Sequence, residues 1–481
     1  MSEAMHAYPE YKDSGLPWLG RIPKHWDCLP HRAIFEEVKE QGHVDEQLLS
    51  VTIGKGIIRQ ENLLADSSKK DSSNLDKSKY KLVEPGDIAY NKMRAWQGAV
   101  GVSRYRGIVS PAYIVQRLRG ESRPEYFHYL FRTPGFAKEA ERWSYGITSD
   151  QWSLRPQHFK MIYSCVPPLD EQGLIVGFLR GLDRQVRRFI RNRWRLIETL
   201  NEQKQAIINR AVTQGLAPNV PLKPSGIDWL GDIPKHWKVF RLRNLTELRT
   251  SNVDKHTKPG ETPVRLCNYT DVYKNAEITI NMPFMKATAS PNEIRLFSLK
   301  VGDVLITKDS EDWADIGVPA VVSGTAGDLV CGYHLAILRP KPHVISGRFL
   351  GFALRSQAAS TQLSVSSKGV TRYGLSQGAI KDLLIAVPPK NEQLRLVQHI
   401  QTEIKSLRRA INRAQQEIDL IREYRTRLIS DVVTGKVDVR HLAPPPGSEY
   451  LEEMVEELEP LDDAAGELED EALAGEVSRA D

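Results

Sequence analysis

Two short stretches gather basic, amide and hydroxyl side chains densely enough to handle a polyanion. The first, Tyr90-Asn91-Lys92-Met93-Arg94-Ala95-Trp96-Gln97, follows directly on Gly86-Asp87. On an extended strand Lys92 and Arg94 point to one face and Asn91 to the other. Lys and Arg make phosphate contacts and read guanine, and Asn91 and Gln97 have the amide groups that read adenine bidentately. At the matching place in the second half, after Gly302-Asp303, stand Lys308, Asp309 and Ser310, with Lys92 aligned on Lys308. The second cluster is Tyr145-Gly146-Ile147-Thr148 with Arg155, mirrored by Lys368-Gly369-Val370-Thr371-Arg372-Tyr373. A glycine turn flanked by Thr and Arg can bring the backbone close to a phosphate. A solvated strand end for the first cluster and a plain turn for the second are the ordinary alternatives, and both stay open at this point.

Catalytic patterns are poor by contrast. Thr52-Ile53-Gly54-Lys55-Gly56 lacks the spacing of a phosphate-binding loop. No Asn/Asp-Pro-Pro-aromatic motif of an amino methyltransferase and no G-x-G-x-x-G fingerprint is present. Asp27 with Glu37-Val38-Lys39 has the residue types of a metal-dependent nuclease, which keeps a DNA-cleaving enzyme as the rival class. His25 and His236 lack a second ligand at metal spacing, so packing or capping is the expected role. Cys28, Cys165, Cys267 and Cys331 lie far apart with no C-x-x-C, which fits a reducing cytosol without structural zinc.

The elements that must position these residues are duplicated. Residues 14–26 read SGLPWLGRIPKHW and 225–237 read SGIDWLGDIPKHW, a strong sign of internal repetition. Their prolines and tryptophans suit an extended clasp. Val166-Pro167-Pro168 with Glu171-Gln172 opens one long helix, and Val387-Pro388-Pro389 with Glu392-Gln393 opens its copy. From Pro389 to Gly435 no proline or glycine interrupts the run, and apolar residues recur at steps of three and four: Leu396, Ile400, Leu407, Ile411, Ala414, Ile418, Ile421, Leu428, Val432. The earlier helix repeats this seam from Ile175 to Ala211, with Arg193 as its one break. Between clasp and helix lie β-rich units, with one helix expected around Pro124–Glu141. Tyr113, Leu118 and Arg119 align with Tyr333, Leu338 and Arg339. The expected order is a clasp (1–26), a first β-rich unit (27–165), a long helix (166–215), linker and second clasp (216–237), a second unit (238–386), a second long helix (387–440) and an acidic, disordered tail (441–481). The fold class is therefore α+β: two β-rich domains in a pseudo-twofold repeat, separated by two long helices that bury their seams on each other.

Charge sharpens the reading. The formal net charge is +5, but residues 449–481 hold fourteen Asp or Glu and only Arg479, leaving 65 basic and 47 acidic residues in 1–448, a net of +18. A body that basic calls for a polyanionic partner, nucleic acid before membrane. No apolar run reaches membrane-spanning length and no signal segment opens the chain, so a cytoplasmic protein is expected.

Over about 14–440 the chain resembles the specificity subunit of type I restriction–modification systems. The doubled WLGxIPxHW clasp, GDIAYNKMRAWQGAVGV, GVTRYGLS and the doubled VPPxxEQ helix entry carry the likeness. The resemblance implies two target-recognition domains, each reading half of a split double-stranded DNA site, with the antiparallel helices as spacer. It implies no cofactor in this chain. It also implies partners: two methyltransferase subunits that use S-adenosylmethionine, and motor–nuclease subunits that use ATP and magnesium, in a prokaryotic cytoplasm. It does not carry recognition residues over one by one, and the acidic tail lies outside the pattern.

Overall fold

The long helices run Leu169–Thr213 and Lys390–Val433. Each starts directly after a Pro-Pro pair, where the missing N–H costs nothing, and each is stopped by a glycine with positive φ, Gly215 or Gly435. In this computed structural model, residues 6–65, 76–147 and 151–442 are described. The tail assigned to 441–481 therefore lies almost wholly outside them. The chain divides into two units, one formed by the residues up to Trp194 together with the chain from Gln416, the other by Arg195–Gln415.

Within each unit the helix segments lie antiparallel. In the first, Asp183 meets Arg425 at 2.7 Å and Arg193 meets Glu417 at 2.7 Å, partners falling in number on one helix as they rise on the other. The seam is as expected: Ile175, Leu179, Val186 and Ile190 are buried in the first unit, as are Ala414, Ile418, Leu428 and Val432. Arg193 does not break it, because its guanidinium pairs with Glu417 and lies 4.7 Å from the Phe189 ring. In the second unit Ile208 and Ala211 join Leu396, Ile400 and Ile404 in one core cluster with the sheet.

The sheets repeat one order. In the first unit Phe35–Val38, Tyr113–Leu118, Ile88–Asn91 and Val100–Val102 form four antiparallel strands in that order. In the second, Thr246–Thr250, Leu335–Pro340, Val304–Thr307 and Pro319–Val322 do the same, and Glu277–Ile278 adds a parallel edge. The pairing Asn91↔Tyr113 corresponds to Thr307↔Leu335. Arg117, not Arg119, is thus the counterpart of Arg339. Each makes a two-pronged ion pair with the buried aspartate of its Gly-Asp turn: Arg117 to Asp87 at 2.7 Å, Arg339 to Asp303 at 2.7 and 2.8 Å. Sequence alignment of Arg119 on Arg339 is two residues out of register. A slip of two keeps every side chain on its face, so alternation alone does not exclude it.

The helix expected around Pro124–Glu141 is two helices, Pro124–Phe131 and Pro134–Arg142. Pro134 cannot continue the first, and the Thr133 hydroxyl accepts from the Phe136 N–H at 3.2 Å to cap the second.

The clasps are short antiparallel pairs, Tyr11–Asp13 on Arg21–Pro23 and Leu222–Pro224 on Asp232–Pro234. Each drives its tryptophan, Trp26 or Trp237, fully into a core. A side chain at Gly435 would meet Pro23 at 2.3 Å, and one at Gly215 would meet Trp237 at 3.4 Å, so each clasp closes on the glycine that ends a long helix. The histidines serve this closure, as expected from their spacing. His25 bonds Glu171 at 2.8 Å, and His236 bonds Glu392 at 2.8 Å. The glutamines beside those glutamates tie the helix start to a neighbouring helix. Gln172 accepts from Arg123 N–H at 2.8 Å and Gln393 from Ser346 N–H at 2.9 Å, each just ahead of a helix beginning at Pro124 or Gly347.

Candidate nucleic-acid interface

The strand Ile88–Asn91 ends at Asn91, whose side-chain carbonyl accepts from the Met93 N–H at 3.0 Å. Lys92 and Arg94 therefore sit in a turn and do not share a strand face, which corrects the extended geometry expected from sequence. The Arg94 side chain points to Gln97, Nη1 to Oε1 at 3.4 Å. Lys92 leaves the turn toward an open cleft of about 700 Å³ that also takes in Glu37, Lys39, Lys81, Gly146, Ile147 and Arg155.

The two clusters, some sixty residues apart in sequence, are brought together by one backbone bond. Leu154 N–H donates to the Lys92 carbonyl at 2.8 Å. In the second unit Leu375 N–H donates to the Lys308 carbonyl, also at 2.8 Å. Leu154 and Leu375 are both buried and end a hairpin that carries the glycine cluster. In the first unit Tyr145 and Ser153 pair across it, and in the second Lys368 and Gly374. Trp96 and Trp152, 5.4 Å apart edge to face, fasten the first hairpin to the Lys92 turn. Asp309-Ser310 pairs directly with Tyr373-Gly374 in the second.

The surroundings of the two turns differ in chemistry. In the first unit Glu37 lies 3.6 Å from Lys39 and 3.9 Å from Lys160, a carboxylate set among ammonium groups. Lys81 donates to the Tyr113 carbonyl at 2.6 Å, and burial pulls its pKa down against the opposing pull of Glu37. In the second unit the ammonium of Lys308 lies 4.6 Å from the Tyr333 ring centre. His334 and Asp309 are 2.8 Å apart, with Arg372 3.4 Å from the same ring nitrogen. The shorter contact assigns the Nδ1 proton to Asp309, so Arg372 is left as a neighbour and not a donor there. Ser310 accepts from Asp312 N–H at 3.1 Å. Thr371 and Lys368 are exposed on the hairpin. Thr148 lies outside the described residues.

Sequence reading missed Lys81, Tyr333 and His334. It gave Glu37 and Lys39 a different role. Asp27 begins a strand paired to Tyr163–Val166, whereas Glu37 is in the four-stranded sheet, so the nuclease arrangement is split between two sheets. Among the described residues no group of three His, Cys, Asp or Glu is placed to hold a metal ion. Also among them, no helix is long and apolar enough to cross a membrane.

Each unit thus has an α+β frame, antiparallel segments of the long helices and a basic strand-end site. Residues 234–419 match the type I restriction modification DNA specificity domain. The type I restriction enzyme MjaVIII specificity subunit of Methanocaldococcus jannaschii is 22% identical over 293 residues, 59% of this chain and 64% of that protein, so the match spans just under two thirds of this relative. The putative type I restriction enzyme MjaX specificity subunit of the same organism is 24% identical over 451 residues, 88% of this chain and 96% of the relative. A chain solved in work on complex assembly and conformational transition of the type I R-M system shares the fold, with a TM-score of 0.62 at 15% identity over 86% of this chain and 98% of that one. Residues 234–419 thus match the DNA specificity domain, and over most of its length the chain is similar to a type I specificity subunit.

Proposed function

We propose that this chain is the non-catalytic DNA reader of a type I restriction–modification assembly. Each unit reads one half of a bipartite, asymmetric site in duplex DNA. The reading directs adenine methylation by two methyltransferase subunits, which bring S-adenosylmethionine, or cleavage by motor–nuclease subunits, which bring ATP and magnesium. One observation carries the proposal. The same backbone bond, Lys92 to Leu154 and Lys308 to Leu375, assembles a basic turn and a glycine hairpin in both units, while the side chains around them differ. A shared frame with unlike surroundings suits two unlike half-sites.

Among the candidate residues, Lys92, Arg94, Arg155, Lys308, Lys368 and Arg372 supply phosphate or guanine contacts. Gln97, Asp309, Ser310, Thr148 and Thr371 supply base or backbone contacts, and Asn91 holds the turn. The chain is cytoplasmic in this reading. The test is DNA binding by the chain assembled with its methyltransferase subunits. Lys92→Ala and Lys308→Ala should each weaken binding to all sequences alike and lower the salt slope by about one unit. Unchanged affinity and slope in both variants would place these turns away from DNA.

A further inference from the structure

The two most exposed large apolar side chains among the described residues are Ile147, 95% exposed, and Val370, 89% exposed. Counted from the preceding glycine they hold the same position in the two units, directly after Gly146 and Gly369 in the hairpin that ends at Leu154 or Leu375. Single exposed apolar residues are ordinary. A matched pair directly after the glycine of a turn is not, because turns favour Gly, Asn, Asp and Ser, and a β-branched residue is poorly suited to one.

The glycines before them leave them outward. A side chain at Gly146 would strike the Gln151 backbone at 2.5 Å, and one at Gly369, whose φ is +151°, would strike the Arg372 carbonyl oxygen at 2.0 Å. Glycine thus lets each hairpin fold tightly and push the next residue outward. Cations stand near both, in space for Ile147 and in sequence for Val370. Ile147 lines the same cleft as Lys92 and Arg155, and Val370 lies between Lys368 and Arg372 in sequence. An apolar side chain near cations fits the surface of a polyanion that also offers apolar ground, and duplex DNA offers base edges and sugars inside its grooves.

We propose that Ile147 and Val370 are apolar groove contacts, one in each half-site, that add affinity without neutralising phosphate. The pair is alike in both units although the surroundings differ, so each side chain makes a contact common to both half-sites. This inference rests on the DNA-reading function above.

The test uses the chain assembled with methyltransferase subunits and a duplex that carries its methylated site. Ile147→Ser and Val370→Ser should each weaken binding about tenfold, the scale of losing one buried aliphatic side chain, with the salt slope unchanged. Ile147→Val should bind like the parent. Both residues are exposed, so folding should survive, and an unchanged circular dichroism melt checks this. Parental affinity in both serine variants would overturn the inference, as would a loss accompanied by a lower salt slope. Failure of the parent complex itself to bind its site would instead count against the DNA-reading function.

Discussion

His31 and Leu242 occupy the same place in the two units, and their surroundings show how one frame tolerates different fillings. Each opens a single helical turn, and each donates its N–H to an equivalent carbonyl: His31 to Ile162 at 2.7 Å, Leu242 to Leu383 at 2.8 Å. Inside the first unit the His31 ring bonds the Ser164 hydroxyl at 2.8 Å among Phe35, Phe131, Phe136 and Phe159. At the position of Ser164 the second unit has Ile385, buried like Leu242 in one apolar cluster. The backbone bond is what repeats. The side chains above it were free to become polar in one unit and apolar in the other, just as different polar side chains surround the two turns.

The paired aspartates should also respond differently in the two units. Asp87 and Asp303 are both 2% exposed, but Arg117 is 39% exposed and Arg339 only 17%. Removing one partner of a buried pair costs about 3–5 kcal/mol. Asp303→Ala should approach that range, about 3 kcal/mol, since Arg339 is left with little access to water. Asp87→Ala should cost less, about 2 kcal/mol, because Arg117 can turn outward. Urea unfolding followed by hydrogen exchange in each sheet would read the two losses, and equal losses would remove burial of the arginine as the cause.

The clasps come next. Glu171 accepts from Tyr8, from Trp26 at 3.0 Å and from His25 at 2.8 Å. Glu392 takes only the histidine among the described residues, and Trp237 Nε1 is buried with no partner there. Burial and the adjoining Glu171 carboxylate push the Tyr8 hydroxyl far up from its ordinary pKa, so it stays a donor at all working pH. Each buried donor left unmade costs about 1–3 kcal/mol. Glu171→Ala should therefore cost about 2–4 kcal/mol and Glu392→Ala about 1 kcal/mol by the same principle. The comparison breaks if thermal melts show the two variants equally destabilised.

A third contrast is acid sensitivity. Burial drives the His31 pKa down to about 3, and burial also pulls His128 well below its usual value. A histidine held neutral in the fold contributes fully above the unfolded pKa near 6.5. As pH falls below that, the unfolded chain takes up a proton that the fold refuses, and stability drops by about 1.4 kcal/mol per pH unit per group. Between pH 7 and 5 the first unit should lose about 2 kcal/mol through His31. Transplanting the second unit's pair, His31→Leu with Ser164→Ile, should remove that share of the slope and leave the part due to His128. An unchanged slope would show that His31 is not the acid-sensitive group.

What sequence could show follows from range. The heptad seam, the doubled clasp and the Pro-Pro helix entry are periodic or repeated, so they are legible without knowing any distant contact. The role of the Glu-Gln pair is not. Glu171 reads as an ordinary first-turn acid, and its partner His25 lies 146 residues away. Convergence of the Lys92 and Gly146 clusters rests on one bond to Leu154 that no local pattern announces. The register of Arg117 was ambiguous because arginine also stands at 119, where it bonds the Phe35 carbonyl instead. Asn91 carried the chemistry of a base reader, yet its carbonyl is committed to the turn that aims Lys92.

The central claim is that two units with one frame read separate half-sites. Replacing 27–165 with the same region of a relative that has a different site, in a host with the full system, tests it through the methylated motif. The account predicts a motif in which one half changes and the other half stays as before. A motif changed in both halves, or in neither, would contradict it.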